Sequence, residues 1–196
     1  GRLDVVLMQM VRLVRGGEVI KASKRSGKAI TLVTLLDEVP IDAARFFFNL
    51  REANSHFDFD LDLAVEESAQ NPVYYVQYAH ARICSIGRML KQEGITPCKT
   101  ADCDFSLLCA EEEKALVRFL ARLPQEIIDA AKEYDPAKLT RYAVELATMF
   151  HKFYNACRVK CGEEKMMNAR YALCMAVKQT LFNVLSLLKI TAPDAM

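Results

Sequence analysis

Hydrophobic positions change their spacing along this chain near residue 62. Before that point apolar runs are short, and the pair Gly16-Gly17 separates two of them, which is typical of two strands joined by a turn. After it, apolar residues recur every three or four positions, which is the period of a helix. The pattern predicts a mainly α fold, with a small α+β part over residues 1–62 and an all-helical part over residues 63–196.

Two short helices are predicted in the first part. One ends the run that begins at Ala29 and is capped near Thr34. The other starts at Pro40, and its apolar residues at helical spacing are Ile41, Ala44, Phe47 and Phe48. Residues 57–63 alternate between large apolar side chains and aspartates. That alternation predicts a strand, although an extended linker held by its apolar side fits equally well.

The second part reads as a helical bundle. One helix is predicted to start after Asn71-Pro72, a good helix start, and to run to the region of Gly94. Two later segments carry long apolar stripes: Tyr142, Leu146, Met149, Phe150, Phe153 and Cys157 on one, and Met167, Tyr171, Cys174, Leu181, Leu185 and Leu188 on the other. Each stripe needs an apolar partner, so we predict a bundle of about five helices.

Composition excludes several classes of protein. Of the 196 residues 52% are hydrophobic, which is enough for a buried core and inconsistent with disorder. No apolar run reaches 18 residues, so we expect no membrane span, and the charged N-terminal stretch does not resemble a signal peptide. Seven scattered cysteines form no Cys-x-x-Cys pair, so the sequence predicts reduced thiols and no metal site.

Charge is distributed unevenly, although its formal sum is only +1. By count of charged side chains, residues 1–35 have a net charge of about +5 and residues 36–67 a net charge of about −7. Four of the cations lie within eight residues, at Lys21, Lys24, Arg25 and Lys28. A nucleotide loop of the Walker A type is excluded, because Ala22 and Ala29 stand where its first glycine and its hydroxyl residue belong. Two alternatives remain: solvated surface charges, or ammonium groups that neutralise a leaving pyrophosphate.

A resemblance favours the second alternative. The run "IKASKRSGK" resembles the Lys-Met-Ser-Lys-Ser signature of class I aminoacyl-tRNA synthetases, with Ala22 in place of the usual methionine. Four further runs, together with the closing "APDAM", are similar to the arginyl-tRNA synthetase family in the order of that family: "VVLMQMVRLVRGGEVIKASKRSGKAITL", "DAARFFFNLR", "SHFDFDLDLA" and "NPVYYVQYAHARI". The resemblance covers essentially the whole chain.

The resemblance implies a phosphate-binding loop at the end of a catalytic domain. Lys21, Ser23 and Lys24 would be catalytic and would bind the ATP phosphates, with Arg25 and Lys28 as helpers. The family uses ATP with Mg²⁺, arginine and tRNA(Arg), and its activation step waits for tRNA. The His-x-Gly-His motif of class I enzymes is absent from this sequence. The chain therefore resembles the C-terminal portion of a synthetase, and we expect it to be inactive alone and to hold no cofactor tightly.

The resemblance also implies an anticodon-binding domain over residues 63–196. Carried over by position, its anticodon residues are Tyr75, Tyr78, Arg82, Tyr154 and Met196. Exposed aromatic rings and an arginine are suited to stacking on unpaired bases. A structural role in the core stays open for two tyrosines of the first long helix, Tyr74 and Tyr78. Two interpretations of residues 155–160 are equally good. Asn155, Arg158 and Lys160 contact the RNA backbone, or the segment is a solvated helix end.

Other interpretations follow from the same residues. We expect Asp42 and Arg45 to be structural, with Arg45 able to pair with the acidic side of residues 58–62. The helical part could instead be a protein–protein interaction module, or belong to a related class I enzyme such as a cysteinyl-tRNA synthetase. In the favoured interpretation the protein is a cytoplasmic monomer that does not bind membranes.

Overall fold

Short strands and long helices make up this chain. The computed structural model describes Gly1, residues 3–20 and residues 31–196. The predicted phosphate-binding residues Lys21, Ser23, Lys24, Arg25 and Lys28 lie outside the described residues. Within the described ranges the fold is mainly helical with one small sheet, so the predicted fold class is confirmed.

Three strands form the sheet in the order β2-β1-β3. Strand β1 (Val11–Arg15) and strand β2 (Glu18–Val19) pair antiparallel around Gly16-Gly17. Both glycines have positive φ, +58° and +80°, which residues with a side chain adopt reluctantly. The predicted hairpin is therefore present. Strand β3 (Phe57–Asp60) pairs parallel with the other edge of β1.

The alternating segment 57–63 divides into two elements at Asp60. Its first four residues are strand β3, and the next five form helix α3 (Leu61–Val65). The Asp60 carboxylate accepts hydrogen bonds from the backbone N–H groups of Asp62 and Leu63, at 3.0 and 3.1 Å. Because Asp60 caps the helix in this way, the backbone pairing of strand β3 ends at the same residue. The predicted position of the boundary between the two parts, at residue 62, thus lies inside α3.

Helices α1 (Leu32–Glu38) and α2 (Ile41–Phe48) precede the third strand. Thr31 caps α1, since its hydroxyl accepts from the Thr34 N–H at 3.2 Å, so the cap lies three residues before Thr34, near which it was predicted. The predicted helix α2 is present, and of its four apolar residues at helical spacing Ile41 and Phe48 are exposed. The face of α2 that packs against the core carries Ala43, Ala44, Phe46 and Phe47.

Five longer helices form the rest of the molecule, as predicted. Their bounds are α4 (Pro72–Gln92), α5 (Glu111–Leu120), α6 (Leu123–Glu133), α7 (Ala137–Ala156) and α8 (Glu164–Leu187). The buried Asn71 side chain caps α4 by accepting from the Val73 N–H, and it donates to the Glu66 carbonyl at 2.9 Å. Gly94, with φ of +72°, follows the end of α4, so both predicted ends of this helix are confirmed.

Helix α7 lies at the centre of the bundle and packs against α4, α5, α6 and α8. Its side chains Leu146, Phe150 and Phe153 are completely buried, as the predicted stripe requires. Buried residues from α1 to the end of α8 belong to one hydrophobic core. Among the described residues, no helix combines the length and apolar character needed to cross a membrane.

Candidate nucleic-acid interface

Four of the predicted anticodon residues line a single cavity of about 370 Å³. We call it the first cavity. Tyr78 and Arg82 come from one face of α4, since residues four apart in a helix are neighbours. Tyr154 comes from the last turns of α7, and Met196 is the final residue of the chain. The fold therefore brings together side chains that lie up to 118 positions apart in the sequence.

Arg82 is held by aromatic rings. Its guanidinium carbon lies 4.4 Å from the ring centroid of Tyr154 and 5.8 Å from that of Tyr78. Within the described ranges no carboxylate forms an ion pair with this arginine. Cation–π contacts fix the guanidinium plane while leaving its N–H donors available. Such a group can donate to a base edge or to a phosphate oxygen.

A second cavity of about 410 Å³ adjoins the first. Tyr78 and Arg82 line both cavities, and the second also contains Tyr74 and Tyr75 from α4 and His151 from α7. Tyr75, the fifth predicted anticodon residue, thus shares the second cavity with Tyr78 and Arg82 but does not line the first cavity with Tyr154 and Met196. Its ring centroid lies 5.0 Å from that of His151. Burial, with a smaller contribution from the charge of Arg82, lowers the pKa of His151, so this ring is neutral near pH 7.

The C-terminal tail, residues 190–196, is held along α4 by a row of polar side chains that the sequence analysis did not identify. Gln77 Nε2 donates to the Thr191 carbonyl at 3.0 Å, and Arg88 Nη1 donates to the Asp194 carbonyl at 2.8 Å. Between them, His80 Nδ1 lies 2.8 Å from the Pro193 carbonyl. Because a carbonyl only accepts, this ring nitrogen carries the proton. These contacts place the end of the tail beside the first cavity.

The sequence of α4 contains a signal for this row of polar side chains. Gln77, His80, Cys84 and Arg88 recur every three or four residues, which places four polar side chains on one face of α4. Residues of that kind on an otherwise apolar face need partners. No local pattern indicated that the partner was the last segment of the chain.

Asp42 and Arg45 connect helix α2 to the same tail. Asp42 Oδ2 accepts from the Thr191 N–H at 3.2 Å and from Gln77 Nε2 at 3.0 Å. Arg45 Nη1 donates to the Lys189 carbonyl at 2.6 Å. Both residues make structural contacts, but the expected pairing of Arg45 with residues 58–62 was wrong. Helix α2 directs Arg45 towards the end of α8, and Arg12 of strand β1 is the residue that pairs with Asp58, at 2.6 Å.

One group of possible metal ligands occurs among the described residues. A ring nitrogen of His80, Cys84 Sγ and a carboxylate oxygen of Asp194 all lie within 4.8 Å of one another. The proton on His80 Nδ1 is already donated to a carbonyl, and the Cys84 thiol donates to Asp194 at 3.1 Å. Burial and the neighbouring carboxylate raise the pKa of Cys84, which keeps the thiol protonated. Lys178 lies 3.7 Å from the same carboxylate. These groups hold the tail, and a metal ion bound here would have to displace the protons on His80 Nδ1 and the Cys84 thiol.

The residues predicted for RNA backbone contacts lie at the end of α7. Asn155 and Arg158 are exposed, and Lys160 is half-buried and forms an ion pair with Glu93. Together with Tyr154 they line a further cavity of about 470 Å³ next to the first. The structure thus places these polar groups beside the aromatic residues.

The surface cavities of this helical bundle are lined by tyrosines and by an arginine in cation–π contact. These are features of a domain that binds unpaired bases. The comparison with protein families agrees with this class. Residues 76–196 match the model of the DALR anticodon binding domain, and the chain belongs to that family.

Relatives named arginine–tRNA ligase extend the match to the whole chain. It is 54% identical over 195 residues to the arginine–tRNA ligase of Caldanaerobacter subterraneus, and 51% identical to that of Acetivibrio thermocellus. Each alignment covers all of this chain and 35% of the relative, so the chain spans about a third of the length of these relatives. The resemblance to arginyl-tRNA synthetases, predicted from the sequence, is confirmed.

Solved structures show the same relationship. A crystal structure from Campylobacter jejuni assigned as an arginyl-tRNA synthetase matches with a TM-score of 0.85 and 30% identity, over 97% of this chain and 40% of that one. The arginyl-tRNA synthetase of Thermus thermophilus matches with a TM-score of 0.67 and 31% identity, over 79% of this chain and 26% of that one.

Proposed function

We propose that this chain is the anticodon-recognition part of an arginine–tRNA ligase. The observation that carries the proposal is the first cavity, where Arg82 contacts the rings of Tyr78 and Tyr154 and Met196 is part of the lining. It is supported by the match to an anticodon-binding family and by relatives named arginine–tRNA ligase.

In this proposal an unpaired anticodon base enters the first cavity. The rings of Tyr78 and Tyr154 and the apolar side chain of Met196 provide contact surface for its faces. Loss of such stacking costs about 1–3 kcal/mol per base. Arg82 supplies hydrogen-bond donors for an acceptor on the edge of the base. This contact can distinguish one base from another, which stacking alone does not do. Exposed Arg158 adds a cation for the RNA backbone, which is one of the two interpretations of this segment.

The activity of the whole protein is part of the proposal. It would attach arginine to tRNA(Arg) with ATP and Mg²⁺, as a cytoplasmic monomer. Lys21, Ser23 and Lys24, helped by Arg25 and Lys28, would neutralise the ATP phosphates, so residues 1–62 would end the catalytic domain and residues 63–196 would read the anticodon. This chain lacks a His-x-Gly-His motif, and we expect no aminoacylation from it alone.

The test is a titration of this chain with an arginine tRNA transcript and with a transcript changed only at the middle anticodon base. Both titrations are run at two salt concentrations, because phosphate contacts weaken with salt while base discrimination persists. We expect a preference for the unaltered anticodon that Tyr154→Ala abolishes and Tyr154→Phe retains. Equal, salt-sensitive binding of both transcripts would contradict the proposal, and absence of binding would favour a protein–protein interaction module.

A further inference from the structure

We propose that Cys98 and Cys103 form a reversible disulfide by exchange with a low-molecular-weight disulfide. Both cysteines lie in the loop between helices α4 and α5, and both thiols are free in this structure. Neither residue lines the first cavity, the second cavity or the further cavity beside Arg158. The thiol–disulfide site is therefore separate from the candidate RNA interface, and it does not rest on the proposed function.

The distance between the two sulfur atoms is the first argument. Cys98 Sγ and Cys103 Sγ lie 3.3 Å apart, and within the described ranges no other two cysteine sulfurs are in hydrogen-bond contact. A disulfide bond is about 2 Å long, so the two sulfurs need to approach by about 1.3 Å to form one. A small rotation of the Cys98 side chain can supply this movement, because Cys98 is exposed.

A buried asparagine of helix α8 holds both cysteines in this position. Asn168 Oδ1 accepts from the Cys98 N–H at 3.1 Å, and the Asn168 carbonyl accepts from the Cys103 thiol at 3.6 Å. Between the two cysteines, Thr100–Asp102 form a single turn of 3-10 helix. The fold orders this segment before any covalent bond forms, so little conformational entropy is lost when the disulfide closes.

Exposure and protonation give the two thiols different roles. Cys98 is exposed, whereas Cys103 is half-buried. Burial, with smaller contributions from the hydrogen bond and charge of Cys98, raises the pKa of Cys103 to about 11, so this thiol is protonated near pH 7. Attack on a disulfide requires a thiolate and access to the reagent. Cys98 is therefore the residue that reacts first, and Cys103 is the residue that completes the disulfide.

The reaction takes two exchange steps. The Cys98 thiolate attacks one sulfur of the small disulfide, which breaks the S–S bond of that molecule, releases one small thiolate and leaves a mixed disulfide on Cys98. Cys103 then loses its proton and attacks the Cys98 sulfur, which displaces the second small thiolate. The two protons pass to the two small thiolates. Two protein thiols are thus oxidised, and one small disulfide is reduced to two small thiols.

The test is equilibration of the full 196-residue chain with mixtures of reduced and oxidised glutathione, once folded and once in concentrated urea. Free thiols are then blocked with N-ethylmaleimide, and the chain is digested with trypsin, which cuts after Lys99 between the two cysteines. A Cys98–Cys103 disulfide joins peptides 92–99 and 100–114, and mass spectrometry detects the joined pair. We expect the equilibrium constant for this disulfide to be about tenfold or more larger in the folded chain than in urea. Added dithiothreitol should separate the peptides.

Cys109 lies in the same tryptic peptide as Cys103, so a matched pair of variants identifies the partner of Cys98. Cys109 is exposed and donates to the Ser106 carbonyl at 3.2 Å. Cys109→Ser should retain the joined peptides, because it leaves both proposed partners in place. Cys103→Ser should abolish them and leave Cys98 as a mixed disulfide with glutathione.

Three results would overturn the proposal. The peptides could stay separate in the folded chain at every glutathione ratio, which would show that the two thiols do not react with each other. An equilibrium constant no larger in the folded chain than in urea would show that the fold does not favour the disulfide. Joined peptides that survive Cys103→Ser but not Cys109→Ser would assign the bond to the wrong cysteine. The comparison between folded chain and urea uses the unmodified protein, so it does not depend on whether a variant folds.

Discussion

Glu113 is the most deeply buried charged side chain among the described residues, with 1% of its surface exposed. One carboxylate oxygen lies 2.7 Å from Arg170 Nε of helix α8, and the other accepts from the Ala110 N–H at 2.9 Å. Arg170 also donates to the Arg158 carbonyl at 2.9 Å. This ion pair therefore links the start of α5 to α8 and to the segment that follows α7.

Glu113→Gln keeps the shape of the side chain and removes its charge. Arg170, whose side chain is 17% exposed, is then left without its counter-ion. Breaking a buried ion pair on one side costs about 3–5 kcal/mol, and partial exposure of the arginine favours the lower end, about 3 kcal/mol. A loss of that size is a large fraction of a typical folding free energy of about 5–15 kcal/mol. At a urea dependence of about 2 kcal/mol per M, the unfolding midpoint should fall by about 1.5 M.

The assay is urea unfolding followed by circular dichroism, with Glu126→Gln as the matched control. Glu126 pairs with Arg122 at 2.7 Å on the surface of α6, where such a pair contributes about 0.5 kcal/mol or less. The double variant Glu113→Gln with Arg170→Met should recover part of the loss, because the unpaired charge is gone. If Glu113→Gln shifts the midpoint no more than the control does, the reasoning about burial is refuted.

Three further predictions concern titration, packing and the tail. Burial lowers the pKa of His151 from its ordinary 6.5, so the unfolded chain binds more protons below that pH. The free energy of unfolding should therefore decrease as the pH falls below 6.5, and His151→Gln should flatten the decrease in denaturant titrations. Gly87→Ala should destabilise the chain, because the new Cβ would lie 2.9 Å from Tyr171 Oη. When Tyr171 is also changed to Phe, Gly87→Ala should instead stabilise the chain by about 1 kcal/mol, because alanine is favoured over glycine inside a helix. If Gly87→Ala destabilises the chain equally in both backgrounds, the steric argument is contradicted. Asp42→Ala should raise the hydrogen exchange rate of the Thr191 amide about fivefold, as loss of one hydrogen bond of about 1 kcal/mol implies, and unchanged exchange would exclude Asp42 from holding the tail.

Local physical chemistry explains which parts of the fold were predictable. The hairpin at Gly16-Gly17, the start of α4 at Asn71 and the apolar stripe of α7 depend on residues close in sequence. The cap of α1 was misplaced because Thr31 and Thr34 carry the same hydroxyl, and only the extended backbone at Thr31 distinguishes the capping residue. The segment 57–63 alternates throughout, but the capping hydrogen bonds of Asp60 outweigh the alternation.

The candidate site was predictable only in part. Its individual residues came from the resemblance to a family, whereas the pairing of Arg82 with Tyr154 depends on how α4 packs against α7. Contacts of the tail join residues more than 100 positions apart, such as His80 and Pro193, and no local pattern identifies such partners. The parallel rings of Tyr74 and Tyr78 follow from their spacing of four residues, but their separation was set by side-chain rotamers.

A double-mutant cycle tests the central claim, that the first cavity reads an anticodon base, most directly. The affinity of the chain is measured for stem-loops with and without the middle anticodon base change, first with Tyr154 intact and then with Tyr154→Ala. If Tyr154 contacts that base, the base change should cost at least tenfold in affinity with the unmodified chain and almost nothing with the variant. Equal discrimination by both chains would show that the base is read elsewhere and would contradict the account.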